Sequence, residues 1–149
     1  MIILIVSSTS LGLLLSENSK KKVTVCSELV SFCDLLLLDL DYRITPAKEL
    51  LENTLKNENL SHLNFISGSN LIEKKNIVSC LSKSENEDIA AFLYSLGKSD
   101  VNSQKKLINA FKERIKNSMN IYSQKYKKDS KLYLSFGFFF GIVFSLIWI

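Results

Sequence analysis

"INAFKERIKNSMNIYSQKY", residues 108–126, is the stretch that decides the fold class. Its apolar side chains recur three or four residues apart, so one side of a helix stays apolar at Ile108, Phe111, Ile115, Met119, Tyr122 and Tyr126. A helix that begins after Asp100 and reaches Asp129 would be more than about 40 Å long. No segment alternates with a period of two for long enough to predict a strand. We therefore expect an all-α protein.

The same helical spacing continues upstream of this stretch. Between Val23 and Tyr42 the apolar residues form one wide stripe, at Cys26, Leu29, Val30, Cys33, Leu36, Leu37 and Leu40. Thr45 is suited to cap the next helix, and Pro46 suits its first turn, where no amide donor is needed. A shorter helix is expected from about Leu71 to Leu81, with its core-facing side at Ile72, Ile77, Val78 and Leu81.

A further helix is predicted to follow the letters SENE. Ser84 and Glu87 have the spacing of a capping box, and the buried side of the helix is expected at Ile89, Phe92, Leu93 and Leu96. Gly97 is expected to end this helix with a left-handed turn. Ser99 or Asp100 can then accept hydrogen bonds from the free amides of the long helix. Gln104 has two alternatives, a local hydrogen bond or a bond to the neighbouring helix.

Both ends of the chain are uncharged, because every charged residue lies between Glu17 and Lys131. Residues 132–149 supply eighteen positions, within the range of about 17–25 that a membrane span needs. Residues 1–16 are shorter and interrupted by serines. We predict a transmembrane helix at 1–16, a cytoplasmic antiparallel helical bundle at 17–131 and a second transmembrane helix at 132–149.

Lysines lie at the inner edge of each uncharged end. The flanking set comprises Lys20, Lys21, Lys22, Lys125, Lys127, Lys128 and Lys131. By the positive-inside rule this arrangement keeps the middle of the chain in the cytoplasm, with the lipid bilayer as a partner of both ends. A cleavable signal peptide is the rival for the first segment, but it would place positive charge before the apolar stretch. A nucleic-acid binder would spread its basic residues over one face of the domain, so no nucleic-acid partner is expected.

Small residues recur every fourth position within both predicted spans. They are Ser8, Gly12 and Ser16 in the first span, and Gly137, Gly141 and Ser145 in the second. Such faces let helix backbones approach closely in a membrane. Three alternatives stay open: the two spans pack on each other, each packs on other subunits, including a homo-oligomer, or the glycines only reflect the composition of membrane helices.

Residue patterns for catalysis or ligand binding are missing from the sequence. There is no phosphate-binding, dinucleotide-binding, nucleophile-elbow or zinc-protease motif. The three cysteines, Cys26, Cys33 and Cys80, fit reduced thiols better than disulfides, and His62 has no second metal ligand nearby in sequence. We expect no enzyme, no cofactor, no metal and no small-molecule substrate.

Three local patterns carry a resemblance to a known family. "LDLDYRITPAKEL" contains an acidic–x–x–Tyr–x–x–Thr–Pro element, with Asp39, Tyr42, Thr45, Pro46 and Glu49. "LGKSDVNSQKKLI" contains a second element, with Leu96, Gly97, Ser99, Asp100 and Gln104. "KLYLSFGFFFGIV" leads from a lysine and a tyrosine into a last helix that contains glycine. With the layout of the whole chain, these patterns resemble the stage III sporulation protein AB family of endospore-forming bacteria.

The resemblance implies a function in endospore development. It implies a helical domain similar to those of the F-type platform proteins of type II secretion. It also implies membership of the channel complex between the mother cell and the forespore, with the chain in the mother-cell membrane. The partners would be the other channel components, including the cytoplasmic AA ATPase, which this protein would couple to the membrane as an adaptor. The alternatives are a platform or scaffold subunit of another secretion or pilus system, and a small pore-forming protein.

Overall fold

The computed structural model describes the backbone of residues 2–42, 46–73 and 76–147. It describes the side chains of these residues except 2–16, 42, 47, 130, 133–134 and 136–147. Helices make up 78% of the structure, and no strand occurs in the described ranges. The prediction of an all-α protein is confirmed.

Five α-helices and one short 3-10 helix follow each other along the chain. They are α1 (Ile2–Tyr42), α2 (Ala47–Leu55), the 3-10 helix (Glu58–Leu60), α3 (Ser69–Ile72), α4 (Lys83–Ser95) and α5 (Val101–Ile147). α1 and α5 are far longer than the rest, at 41 and 47 residues. At about 1.5 Å per residue they would measure roughly 60 and 70 Å. These two helices set the dimensions of the molecule.

α1 and α5 form an antiparallel pair whose register is marked by two ion pairs. Lys105 on α5 pairs with Asp41 on α1, and Lys112 pairs with Asp34. A step of two turns along α5 is therefore matched by an equal step back along α1. Farther along, the ammonium group of Lys22 lies 5.2 Å from the centre of the Tyr122 ring. The backbones of the two uncharged segments continue from the same end of this pair.

The core lies between the two long helices and is closed by α2, the 3-10 helix and α4. From the predicted stripe, Cys26, Leu29, Cys33 and Leu36 are fully buried, and so is Phe32, which the spacing argument missed. Ile108, Phe111 and Ile115 face them from α5. Phe92 of α4 stacks on Phe111 with ring centres 4.0 Å apart. All four predicted core residues of α4 and its C-cap (Ile89, Phe92, Leu93 and Leu96) are buried.

The helix expected from Leu71 to Leu81 is wrong. α3 ends at Ile72, and residues 76–82 are not helical. Ile77 and Leu81 are buried, but Val78 is 83% exposed and Ile72 is 70% exposed. Because residues 76–82 are not helical, the helical spacing that grouped Val78 with Ile77 and Leu81 on one face does not apply to them. The four-residue spacing of Ile77 and Leu81 is typical of a helix and led to the wrong prediction.

Two predicted helix starts are shifted. The capping box of α4 is formed by Ser82 and Glu85, two residues before the predicted pair Ser84 and Glu87. Pro46 is the N-cap of α2 and precedes its first turn, and its carbonyl oxygen accepts a hydrogen bond from the Leu50 N–H at 3.0 Å. Thr45, the predicted cap, lies outside the described residues.

Within the described part of the chain, no helix has the length and hydropathy needed to cross a bilayer. The side chains of both uncharged segments lie almost entirely outside that part. The same holds for the six small residues of the packing prediction: Ser8, Gly12, Ser16, Gly137, Gly141 and Ser145. Membrane insertion and packing between the spans stay predictions.

Two leucines on α1 test where the core lies. Leu36 is fully buried and Leu38 is 53% exposed. We expect Leu36→Ala to lower the free energy of unfolding by about 2–5 kcal/mol, because it removes buried methyl groups and leaves a cavity. Leu38→Ala, the matched control, should change it by less than about 0.5 kcal/mol. Urea unfolding of the full chain in detergent micelles, followed by circular dichroism, measures both; equal losses would contradict the assigned core.

Candidate functional site

The first two of the three sequence elements that carry the family resemblance meet at one end of the molecule, which we name the tip. The tip comprises the end of α1 (38–41), the start of α2 (46–49) and the turn from α4 into the start of α5 (96–105). The Lys105–Asp41 ion pair joins the first part to the last across 64 positions of sequence. The tip lies at the end of the α1/α5 pair opposite to the uncharged segments.

The turn from α4 into α5 is built around Leu96 and Gly97. Leu96 is buried, and its N–H donates to the carbonyl oxygens of Phe92 and Leu93 at the end of α4. Gly97 has a φ of 77°, in the left-handed region that side chains disfavour. The backbone thus reverses within a few residues, and α5 can start beside the end of α4.

Asp100 begins α5. One carboxylate oxygen of Asp100 accepts a hydrogen bond from the Ser103 N–H at 3.1 Å, and its carbonyl oxygen accepts one from the Gln104 N–H at 2.9 Å. Hydrogen bonds from the hydroxyl group and the backbone of Ser103 lower the pKa of this exposed carboxyl group. The Gln104 side-chain amide donates to the Ser99 carbonyl oxygen at 2.7 Å, which is the local alternative of the two considered. These contacts are architectural.

The first element is less fully described. Pro46 and Glu49 are exposed at the start of α2, and Asp39 is half-buried on the last turns of α1. A carboxylate in the first turn, as at Glu49, interacts favourably with the helix dipole. Thr45 and the side chain of Tyr42 lie outside the described residues.

The surface of the tip combines carboxylates with exposed apolar groups. Asp39, Glu49 and Asp100 contribute the carboxylates, while Leu38 and Val101 are 53% and 48% exposed. Among the described residues, no group of three or more metal-binding side chains occurs. An open groove of about 400 Å³ lies elsewhere, beside α4, and contains Lys83 and Glu87 but no nucleophile paired with a base. The tip therefore presents carboxylates and exposed apolar side chains together on one surface.

A second polar cluster, which sequence reasoning missed, lies toward the other end of the pair. Glu85 bonds with its carboxylate to the Ser82 N–H and hydroxyl group, and Tyr122 of α5 donates its hydroxyl proton to the same carboxylate. Burial would raise the pKa of Glu85, but hydrogen bonds from Ser118, Tyr122 and Ser82 hold it below its ordinary value. Burial and the bond to Glu85 raise the pKa of Tyr122 to about 12. The spacing of Ser82 and Glu85 was the one signal available in the sequence.

The thiols of Cys26 and Cys33 are buried in the core. Burial raises the pKa of Cys26 and of Cys33 to about 12, so both carry protonated thiols. Cys80 is half-buried, and burial raises its pKa as well. His62 has a side chain that is about half exposed, and its Nδ1 atom bonds to the carboxylate of Glu28 on α1. The backbone N–H of His62 donates to the same carboxylate at 2.9 Å. These side chains anchor the core and a surface turn.

The Glu85 cluster generates a prediction about pH. Because folding lowers the pKa of Glu85 from about 4.5, its contribution is complete above that pH and is lost as the pH falls through the folded pKa. We expect Glu85→Gln to cost about 1 kcal/mol at pH 7 and to flatten the fall in stability on acidification. Asp100 retains part of the acid slope, since its pKa is lowered too.

Urea unfolding of the full chain in detergent at several pH values between about 3 and 7 measures this effect. Glu87→Gln is the matched control, because Glu87 is an exposed carboxylate two residues along the same helix. An unchanged acid slope in Glu85→Gln, or the same change in both variants, would refute the assigned role of Glu85.

Comparison with known proteins gave one match. The family model of stage III sporulation protein AB matches residues 68–149, a range that contains α3, α4, the turn at Leu96–Gln104 and α5. The element at Asp39–Glu49 precedes that range. No curated protein and no solved structure matched the chain. Because the model covers more than half of the chain, the protein belongs to the stage III sporulation protein AB family and is a sporulation-related protein of a spore-forming bacterium.

Proposed function

We propose that this chain is a non-enzymatic, membrane-anchored adaptor in the channel complex between mother cell and forespore. In this proposal, residues 1–16 and 132–149 span the mother-cell membrane and the helical bundle lies in the cytoplasm. The tip binds the AA ATPase and connects it to the membrane components. Membership of the family supports a role in sporulation.

The antiparallel register of α1 and α5 is the observation that carries this proposal. It brings both uncharged segments to one end of the pair and the family elements to the other. From Asp41 back to Lys20 along α1 there are 21 residues, which correspond to roughly 30 Å of helix. With the ends in lipid, the tip would stand this far from the membrane-flanking lysines, within reach of a cytoplasmic partner.

The small residues of the two end segments have a role in the same proposal. Ser8, Gly12 and Ser16 would face a helix that carries Gly137, Gly141 and Ser145, either in the same chain or in another subunit. Gly141→Leu would then weaken assembly in detergent, because a large side chain separates the helix backbones. Gel filtration of the full chain, alone and with its channel partners, measures that change.

Membrane topology is the first test of the proposed function. We expect the full chain to remain in the membrane fraction after alkaline carbonate washing and to need detergent for release. Protease added outside intact cells should leave the helical bundle uncut, because the lysine flanks keep it inside. Release by carbonate, or cleavage of the bundle by external protease, would contradict the proposal.

Docking at the tip is the second test. The double variant Asp39→Lys and Glu49→Lys changes charges on the tip, and Glu58→Lys with Glu87→Lys is a control of equal charge change elsewhere. We expect the tip variant to weaken binding of the purified AA ATPase by about tenfold or more, because it reverses the charge of the surface that the ATPase would contact. The control should bind within about twofold of the unaltered chain. Titration of the ATPase against the full chain in nanodiscs gives both values.

Two outcomes of this titration would contradict the proposed docking of the ATPase at the tip. Equal binding by both variants would remove the tip as the docking surface. Absence of any binding to the ATPase by the unaltered chain would favour the platform role in another secretion or pilus system.

A further inference from the structure

We propose that seven lysines around the membrane-proximal part of α1 and α5 form a collar that binds the acidic headgroups of phospholipids. The collar comprises Lys20, Lys21 and Lys22 on α1, and Lys125, Lys127, Lys128 and Lys131 on α5. This inference rests on the proposed function, since it assumes that the adjacent uncharged segments lie in lipid. It adds a preferred class of lipid and a site for it.

Antiparallel pairing brings the two groups of lysines to the same height. Lys22 stacks over the ring of Tyr122, so this turn of α1 lies beside the turn of α5 that precedes Lys125. The stretch from Lys125 to Lys131 covers about 9 Å of helix. Lysines that are about a hundred positions apart in sequence therefore occupy one narrow band around the helix pair.

The lysines point in several directions around this band. Lys125, Lys127 and Lys128 are exposed, and the helical period places Lys127 about 100° from Lys128 and about 160° from Lys125 around α5. On α1, Lys20 and Lys21 are exposed, whereas Lys22 is half-buried against Tyr122. A charge distribution that surrounds a helix pair suits a planar layer of headgroups through which the pair passes. A single bound partner would need the charges on one side.

The collar is not neutralised by the protein. Closer to the tip, basic side chains of α5 pair with carboxylates. These pairs are Lys105–Asp41, Lys112–Asp34 and Arg114–Asp88. Among the described side chains, none of the seven collar lysines forms an ion pair. Only Glu17 and Asp129 are acidic in the stretches 17–22 and 125–131. Lysines crowded in this way repel each other, and a layer of phosphate groups relieves that repulsion.

Acidic phospholipids are the anions that fit this position. Juxtamembrane lysine clusters attract anionic headgroups, and each lysine near the surface strengthens the attraction. The interaction is screened by salt, because the Debye length falls from about 10 Å at 0.1 M to about 3 Å at 1 M ionic strength. The preference for acidic over neutral lipid should therefore disappear at high salt.

Two variants of equal charge change isolate the collar. The collar variant carries Lys20→Gln, Lys21→Gln, Lys127→Gln and Lys128→Gln, and keeps Lys22 on the Tyr122 ring. The control variant carries Lys56→Gln, Lys83→Gln, Lys98→Gln and Lys106→Gln, which replace exposed lysines of the bundle. Circular dichroism should show the same helix content in both.

The full chain is first floated with phosphatidylcholine vesicles, with and without phosphatidylglycerol. In vesicles that hold the protein, spin-labelled phosphatidylglycerol and phosphatidylcholine then report the lipid in contact with it. For the unaltered chain and the control variant, we expect phosphatidylglycerol to be preferred by about threefold or more at low salt. The preference should approach unity for the collar variant, and for every form at about 1 M salt.

The outcomes distinguish lipid binding by the collar from insertion of the uncharged segments into the bilayer, which we call the anchor. Flotation with both vesicle types, but with no preference for phosphatidylglycerol or an equal loss in both variants, would overturn the collar and leave the anchor intact. Flotation only with acidic vesicles, lost in the collar variant, would support the collar and contradict the anchor. Flotation with neither vesicle type would overturn both. Binding of duplex DNA by the collar lysines without any lipid preference would overturn the collar alone.

Discussion

Antiparallel packing of α1 against α5 is the constraint on which the rest of the molecule depends. Leu29, Leu36 and Phe111 are removed from water in this contact, and burial of such side chains is the dominant favourable term in folding. The hydrophobic contact is non-directional, but the pairs Lys105–Asp41 and Lys112–Asp34 mark one register within it. An alternative register would leave these four charges facing other partners. α2 and α4 then cover the sides of the pair. The length of the pair sets where the turns at the ends of α2 and α4 lie.

This constraint separates the molecule into a polar end and a lysine-rich end. At the tip, Gly97 and Asp100 shape the turn so that α4 and α5 share one corner with the end of α1. At the other end, Tyr122 receives Lys22 on its ring and donates its hydroxyl proton to Glu85. The residues with the most specific contacts thus support architecture. The residues proposed for docking, such as Asp39 and Glu49, make few contacts within the bundle.

Helical periodicity predicted much of this fold, and it failed where two patterns overlap. The stripe on α1 and the buried side of α4 follow from spacing, and the left-handed turn at Gly97 follows from the preference of glycine at helix ends. The start of α4 does not, because Ser82–Glu85 and Ser84–Glu87 are equally good capping boxes in sequence, and the contact of Glu85 with Tyr122 favours the first. The individual elements of the tip could be recognised in the sequence. Their contact through Lys105 and Asp41 could not be predicted, because the two residues are 64 positions apart.

Zero-length carbodiimide cross-linking of the full chain, read by mass spectrometry, tests the register most directly. It joins a lysine to a carboxylate only when the two groups are in contact. The structure predicts covalent links between Lys105 and Asp41 and between Lys112 and Asp34. Links from Lys112 to Asp41 and from Lys105 to Asp34 would instead indicate parallel helices, and would contradict a molecule whose tip lies opposite its uncharged ends.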